Sequence, residues 1–229
     1  MDWELMWDSV PALLAAVPLT LQLVALALLL GLGMAALAAW ARLSGHAVAA
    51  GAASAYVFVF RGTPLLVQIF LIYYGLSQFE AVRASLFWPL LREPYWCAIL
   101  ALMLNTGAYQ SEIIRGAILS VPQGQVEAAR ACGMSRLLLF RRIVLPVAVR
   151  QALPAYGNEI ILMVKASSLA STITLLEITG VARRIISQTY AVFEIFIVAG
   201  ILYLLINFAA ARLIRWAEWR MTPHLRARV

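Results

Sequence analysis

The sequence predicts an all-α, polytopic membrane protein of about five transmembrane helices. Of its 229 residues, 63% are hydrophobic and 13% charged, about half the charged share of a soluble domain. No charged residue occurs from Ser9 to Ala41, a run of 33 residues, whereas about 20 helical residues cross a hydrocarbon core. Further apolar runs recur between arginine clusters down to the C-terminus. A soluble monomer is thereby excluded. The length is read as one membrane domain over residues 1–229, without room for a second domain that hydrolyses nucleotides.

Span one covers about residues 12–39. Asp2, Glu4 and Asp8 precede it with no basic residue, the reverse of a signal peptide, so this helix is expected in the mature protein. Gly31 and Gly33 lie inside it and suit close helix packing. Span two runs over about residues 50–75, where Gly62 and Pro64 weaken the helix beside Arg61. Two outcomes fit that pattern: an interrupted helix that offers backbone groups to a midplane ligand, or a proline kink in which Thr63 satisfies a carbonyl. Gln68 lies seven residues after Arg61, on nearly the same face.

Span three, about residues 95–119, repeats that spacing with Asn105 and Glu112. Span four, about residues 152–175, continues it: Gln151, Asn158, Lys165 and Thr172 are each seven residues apart and form one polar seam. Ile160 to Val164 fill the turns between, so the seam is expected to face protein or water and the opposite side lipid. Span five covers about residues 192–212. Ionisable groups at membrane depth are costly and face a bundle interior. Arg61, Glu112, Glu159 and Lys165 are therefore candidates for a transport pathway, with structural pairing, such as Glu112 with Arg115, as the competing reading.

The loop from Ser120 to Pro146 joins spans three and four. Pro122 can open a short helix, Gly133 suits the left-handed residue that ends it, and Ser135 can cap a second helix. Leu137, Leu138, Leu139, Ile143 and Val144 make that second helix apolar on one side, and Arg136, Arg141 and Arg142 suit lipid headgroups. Both helices are expected at the membrane surface. Ala128, Ala129 and Ala131 leave a low-relief surface bearing Glu127 on which another protein can dock.

Eleven basic residues lie at Arg42, between spans three and four, and after span five, the last of them Arg226 and Arg228. Four lie on the opposite side: Arg83, Arg92, Arg183 and Arg184. The positive-inside rule then places the N-terminus outside and the C-terminus in the cytoplasm. The charge of +7 reads as this topology signal and not as a nucleic-acid site. Cys97 and Cys132 have no His or Asp at ligand spacing, so they read as core thiols, with neither a disulfide framework nor a metal site.

Glu127-Ala128-Ala129, then Gly133, then nine residues, then Ile143-Val144-Leu145-Pro146 resembles the EAA loop of bacterial ABC-importer permeases. Phe60-Arg61-Gly62-Thr63-Pro64-Leu65-Leu66-Val67-Gln68, Ala108-Tyr109-Gln110-Ser111-Glu112-Ile113 and Lys165-Ala166-Ser167-Ser168-Leu169-Ala170-Ser171 resemble the polar amino-acid branch, nearest to histidine, lysine/arginine and opine permeases. Ala166 departs from the acidic or polar residue that many of those permeases have after the lysine.

The resemblance implies a type I ABC-importer permease bundle in the bacterial inner membrane, with the N-terminus periplasmic. It further implies that Glu127, Ala128, Ala129 and Gly133 contact a cytoplasmic ATPase dimer, which carries ATP and Mg; no cofactor is expected in this chain. A second permease subunit, a paralogue in preference to a second copy, and a periplasmic binding protein complete the expected assembly. Substrate-binding candidates are Arg61, Thr63, Gln68, Glu112, Asn158, Glu159, Lys165 and Ser168, for a polar and basic amino acid or an opine. A non-cationic substrate such as glutamine or glutamate is the alternative.

A membrane enzyme would need a nucleophile with a base, or a metal cluster, at membrane depth. His46 and His224 lie in cytoplasmic segments away from Ser167, Ser168 and Ser171, and no H-E-x-x-H occurs. A passive channel would share the polar seams but has no use for a docking loop. The chain also lacks G-x-x-x-x-G-K-[ST], so catalysis of ATP hydrolysis is not expected of it.

Overall fold

The computed structural model describes residues 1–221, and no strand occurs among them. Arg226, Arg228 and His224, named above from the sequence, lie outside the described residues. Helix α1 runs Trp3–Leu43, 41 residues, capped by the Asp2 carboxylate accepting from the Leu5 amide at 3.0 Å. At 1.5 Å per residue that is about 60 Å, roughly twice a hydrocarbon core. It contains all of expected span one.

Helix α2 (Ala47–Gly62) and helix α3 (Leu65–Phe70, continued by a π turn to Gly75 and a tight turn to Gln78) meet at a bend of 107°. Expected span two is therefore two limbs and not one rod. Pro64 explains the break. It has no amide hydrogen to give the Phe60 carbonyl four residues back, and Thr63 before it is extended, at φ −115° and ψ 146°. Two short helices, α4 (Glu80–Arg83) and α5 (Trp88–Leu91), lead to α6, Pro94–Leu119.

Helix α6 is the central strut, packed along α1 and against α9. A Cβ on Gly31 would lie 2.6 Å from the Thr106 methyl and 3.2 Å from the Met103 carbonyl, so α1 and α6 touch there through bare backbone. Gly33, expected to serve the same packing, has nothing within 4 Å of the place a Cβ would take. One glycine of the pair is a contact residue and the other is not.

Helix α7 (Gln123–Ala131) ends at Gly133, φ +74°, and Ser135 caps α8 (Arg136–Leu139). The second helix of the loop is not a separate surface helix. It continues through a π turn, Phe140–Val144, into α9, Leu145–Ala166. A short helical turn, Ser167–Ile173, follows and ends in left-handed Thr174. Helix α10 (Ile178–Thr189) and helix α11 (Val192–Met221) complete the bundle.

Three apolar clusters hold these elements. Leu23, Ala27, Leu102, Met163 and Ile173 join α1, α6, α9 and the turn that follows α9. Leu13, Ala16, Ile178, Ile195 and Leu202 join α1 to α10 and α11. Ala117, Val121, Ala129, Leu139 and Val144 seat the loop helices on the end of α6. Cys97 is buried as expected of a core thiol, but Cys132 is exposed at the loop turn.

The packing corrects one directional expectation for α9. Met163 and Val164, on the side expected to meet lipid, are in the core, while Asn158 and Lys165 are exposed and Gln151, also exposed, accepts from the Ser120 hydroxyl at the end of α6. The seam is thus this chain's free face.

Candidate functional site

The break after α2 organises the site. Pro64 leaves the Phe60 carbonyl without its helical partner, and an orphaned carbonyl at membrane depth needs an internal donor. Two buried amides supply it: Gln68 Nε2 donates at 2.9 Å and Asn105 Nδ2 at 3.2 Å. Gln68 Nε2 also reaches the Thr63 carbonyl at 3.1 Å and the Thr63 hydroxyl at 2.8 Å, while its Oε1 accepts from Asn105 at 3.0 Å. The Thr63 hydroxyl donates in turn to the Val59 carbonyl, at 2.7 Å. Both outcomes expected at Gly62–Pro64 therefore occur together: the helix is interrupted, and Thr63 satisfies a carbonyl of its own turn.

Arg61, in the last turn of α2, is exposed and lies over the Tyr109 ring of α6, 5.0 Å from its centroid. It forms a cation–π contact and, among the described residues, no ion pair. Arg61 lines an open cleft of about 380 Å³ with Arg42, Ser54, Val57, Phe58 and Gly62.

The two acids expected to meet substrate have different surroundings. Glu112 is held by two arginines: Arg42, from the last turn of α1, donates to Oε1, and Arg115 donates to Oε2 at 2.9 Å. The pairing with Arg115 is one of the two outcomes the sequence allows. Arg42, 70 positions away, has no signal in it. With both oxygens occupied, Glu112 ties α1 to α6.

Glu159 of α9 is buried and accepts one hydrogen bond, from the Thr106 hydroxyl at 2.8 Å. Among the described residues it has no ion pair, though Arg61 is within electrostatic reach. Thr106 accepts from Gln110 Nε2 at 3.1 Å. Sequence reasoning misses Thr106 because a lone threonine beside Asn105 carries no pattern. Tyr109 stands within the Ala108–Ile113 motif and has that one signal.

Of the remaining candidates, Asn158 and Lys165 lie on the exposed face of α9. The Ser168 hydroxyl donates to the Lys165 carbonyl at 2.6 Å and so caps the end of α9. In the loop, Glu127, Ala128 and Gly133 are exposed, whereas Ala129 turns inward against the cluster containing Val121 and Leu139. Three of the four docking candidates form a surface, and Ala129 supports it from below.

A buried polar corner that the sequence does not single out closes the opposite end. Glu177 accepts from the Thr179 and Gly180 amides at 3.0 and 2.9 Å and from the Tyr203 hydroxyl at 2.6 Å, and the Ile178 amide donates to Thr20 of α1. The carboxylate caps α10 and joins α1, α10 and α11.

Residues 27–223 match the family described as binding-protein-dependent transport system inner membrane component. The chain is 57% identical over 230 residues to the nopaline transport system permease protein NocM of Agrobacterium fabrum, covering 100% of this chain and 95% of that protein. It is 41% identical over 211 residues to the histidine/lysine/arginine/ornithine transport system permease protein HisM of Escherichia coli, covering 92% and 89%. Among solved structures, an amino acid ABC transporter with histidines superposes with a TM-score of 0.86 at 35% identity, covering 96% of this chain and 99% of that one. An inward-facing MetNI methionine ABC transporter, at 22% identity and a TM-score of 0.61, shares the fold.

Proposed function

The chain belongs to the family of binding-protein-dependent transport system inner membrane components, and we propose on that basis how this permease subunit handles its substrate. It is the membrane-spanning subunit of an ABC importer for amino acids or opines. Within that class we read the substrate as cationic: a basic amino acid such as arginine, histidine, lysine or ornithine, or an opine.

The observation that carries this reading is Glu159, a buried carboxylate with one hydroxyl donor and no ion pair among the described residues. Isolated charge at membrane depth is costly, and a substrate guanidinium, ammonium or imidazolium relieves that cost only while it is bound. Arg61, exposed at the broken helix, takes the substrate carboxylate, with Thr63 beside it. Asn158 and Lys165 extend the polar path along the free face of α9, and Lys165 balances the empty site. Residues 1–229 act as one permease domain.

The remaining parts of the assembly follow from the type of importer. A cytoplasmic ATPase dimer holding ATP and Mg docks on Glu127, Ala128 and Gly133. A paralogous permease packs on the exposed α9 face, and a periplasmic binding protein delivers substrate. ATP binding draws the coupling helices together and shifts the bundle between inward-facing and outward-facing states. The N-terminus is periplasmic, by the arginine distribution.

Reconstitution with those partners in proteoliposomes tests the reading. ATP hydrolysis stimulated by arginine, histidine or an opine, and not by glutamine or glutamate, is the expected result. Stimulation by glutamine or glutamate alone would replace the cationic reading with the non-cationic one.

A further inference from the structure

The polar groups at the break divide into those that face the cleft and those that do not, and the division assigns Gln68 a role other than ligand. Gln68 is 6% exposed and Asn105 8%, so neither offers its amide to a ligand entering from the cleft. Every polar atom of the Gln68 side chain is engaged: the nitrogen on Phe60 and Thr63, the oxygen on Asn105. The Phe60 carbonyl that receives both amides is the one Pro64 releases, and Phe60 is the immediate neighbour of Arg61. Three elements meet in this contact: α2 through Phe60 and Thr63, α3 through Gln68, and α6 through Asn105.

We propose that Gln68 and Asn105 form a clasp that fixes the 107° break and thereby aims Arg61 into the cleft, making Gln68 a positioning residue and not a substrate ligand. The physical basis is that an unpartnered carbonyl in a lipid-shielded bundle drives the backbone to rearrange until it finds a donor. Without the clasp, the last turn of α2 re-forms around the orphaned Phe60 carbonyl, and the Arg61 guanidinium leaves its place over Tyr109. The side chain of Gln68 never touches substrate; its effect passes through Arg61. This inference rests on the permease reading above, for the transport readout only.

Two measurements test it. In the first, spin labels at exposed Phe58 and Val67, one on each limb, report the bend in the assembled transporter. Gln68→Ala should turn one narrow distance distribution into a broad one, and an unchanged distribution overturns the clasp. This measurement needs no transported compound, so it stands even if the permease reading fails.

In the second, the apparent KM for stimulation of ATP hydrolysis is compared for Gln68→Ala, Arg61→Ala and the double variant. Each single change should raise KM about tenfold, and the double variant should match Arg61→Ala alone, because both act on one interaction. Additive losses, or a changed preference among arginine, histidine and opines in Gln68→Ala, would make Gln68 a direct ligand and overturn the proposal. If Gln68→Ala does not reach the membrane, Asn105→Ala, which removes one of the two donors to Phe60, must give the same broadening and the same non-additivity with Arg61→Ala.

Discussion

Glu112 and Glu159 are the same residue type, both at membrane depth, and their neighbours give them different work. Two arginines saturate Glu112, so Glu112→Gln leaves Arg42 and Arg115 with a weakened partner and should destabilise the protein by about 1–3 kcal/mol. A lower melting temperature of the purified complex, with substrate preference unchanged, is the expected outcome; an unshifted melt would contradict the structural role. Glu159 has one hydroxyl donor and, among the described residues, no ion pair. Glu159→Gln removes the charge that a cationic substrate meets, and transport of arginine or histidine should fall about tenfold or more. Wild-type uptake by that variant would move the substrate site elsewhere on the α9 face.

Among the helices and their connections, the loop between α6 and α9 shows how a short turn can carry coupling. Gly133 adopts φ +74° and has nothing within 4 Å of a would-be side chain, so a substitution there is opposed by backbone conformation and not by crowding. Any L-residue in that left-handed position costs about 1–2 kcal/mol. A tryptophan would also stand up from the surface formed by Glu127 and Ala128. Gly133→Trp should therefore insert into the membrane normally while losing ATPase association, read by co-purification and by the loss of stimulated hydrolysis. Normal co-purification and coupling would remove the docking surface from this loop. Gly180 shows the opposite cause. Its φ is unremarkable, but a Cβ there would strike the Leu175 carbonyl, so the first turn of α10 requires glycine for space.

For the bundle as a unit, orientation is the property that the arginine distribution alone supplies. Single cysteines at Asp8 and Arg220, in a background lacking Cys97 and Cys132, should label from opposite sides of the membrane. Labelling from the same side would overturn both the odd number of crossings and the outward N-terminus. Four segments pass on length and apolarity if each bent pair counts as one: α1, α11 and the two broken spans. Helix α6, with Glu112 and Arg115 paired, is not among these four, so an odd number of crossings requires α6 as the fifth.

Pattern along the chain was enough to establish the class of molecule, the approximate spans, the loop helix that ends at Gly133 and the family. Each of these is local: runs long enough to cross a bilayer, residues that start and stop helices, and a motif contiguous in the chain. The weak point at Gly62–Pro64 was legible for the same reason, because proline's missing hydrogen acts on its own helix. Which polar groups were already spent became visible only once the helices were packed. Arg42 and Glu112, Thr106 and Glu159, and Gln68 and Asn105 are each more than 35 positions apart, and no periodicity along one helix says which neighbour from another will face it. The same limit misplaced the side of α9 opposite the seam, which is core and not lipid-facing at Met163 and Val164, since a seven-residue repeat identifies a face without saying what lies against the other one. Whether a membrane-depth polar group binds or braces depends on the donors packed around it, and packing across helices decides which donors those are.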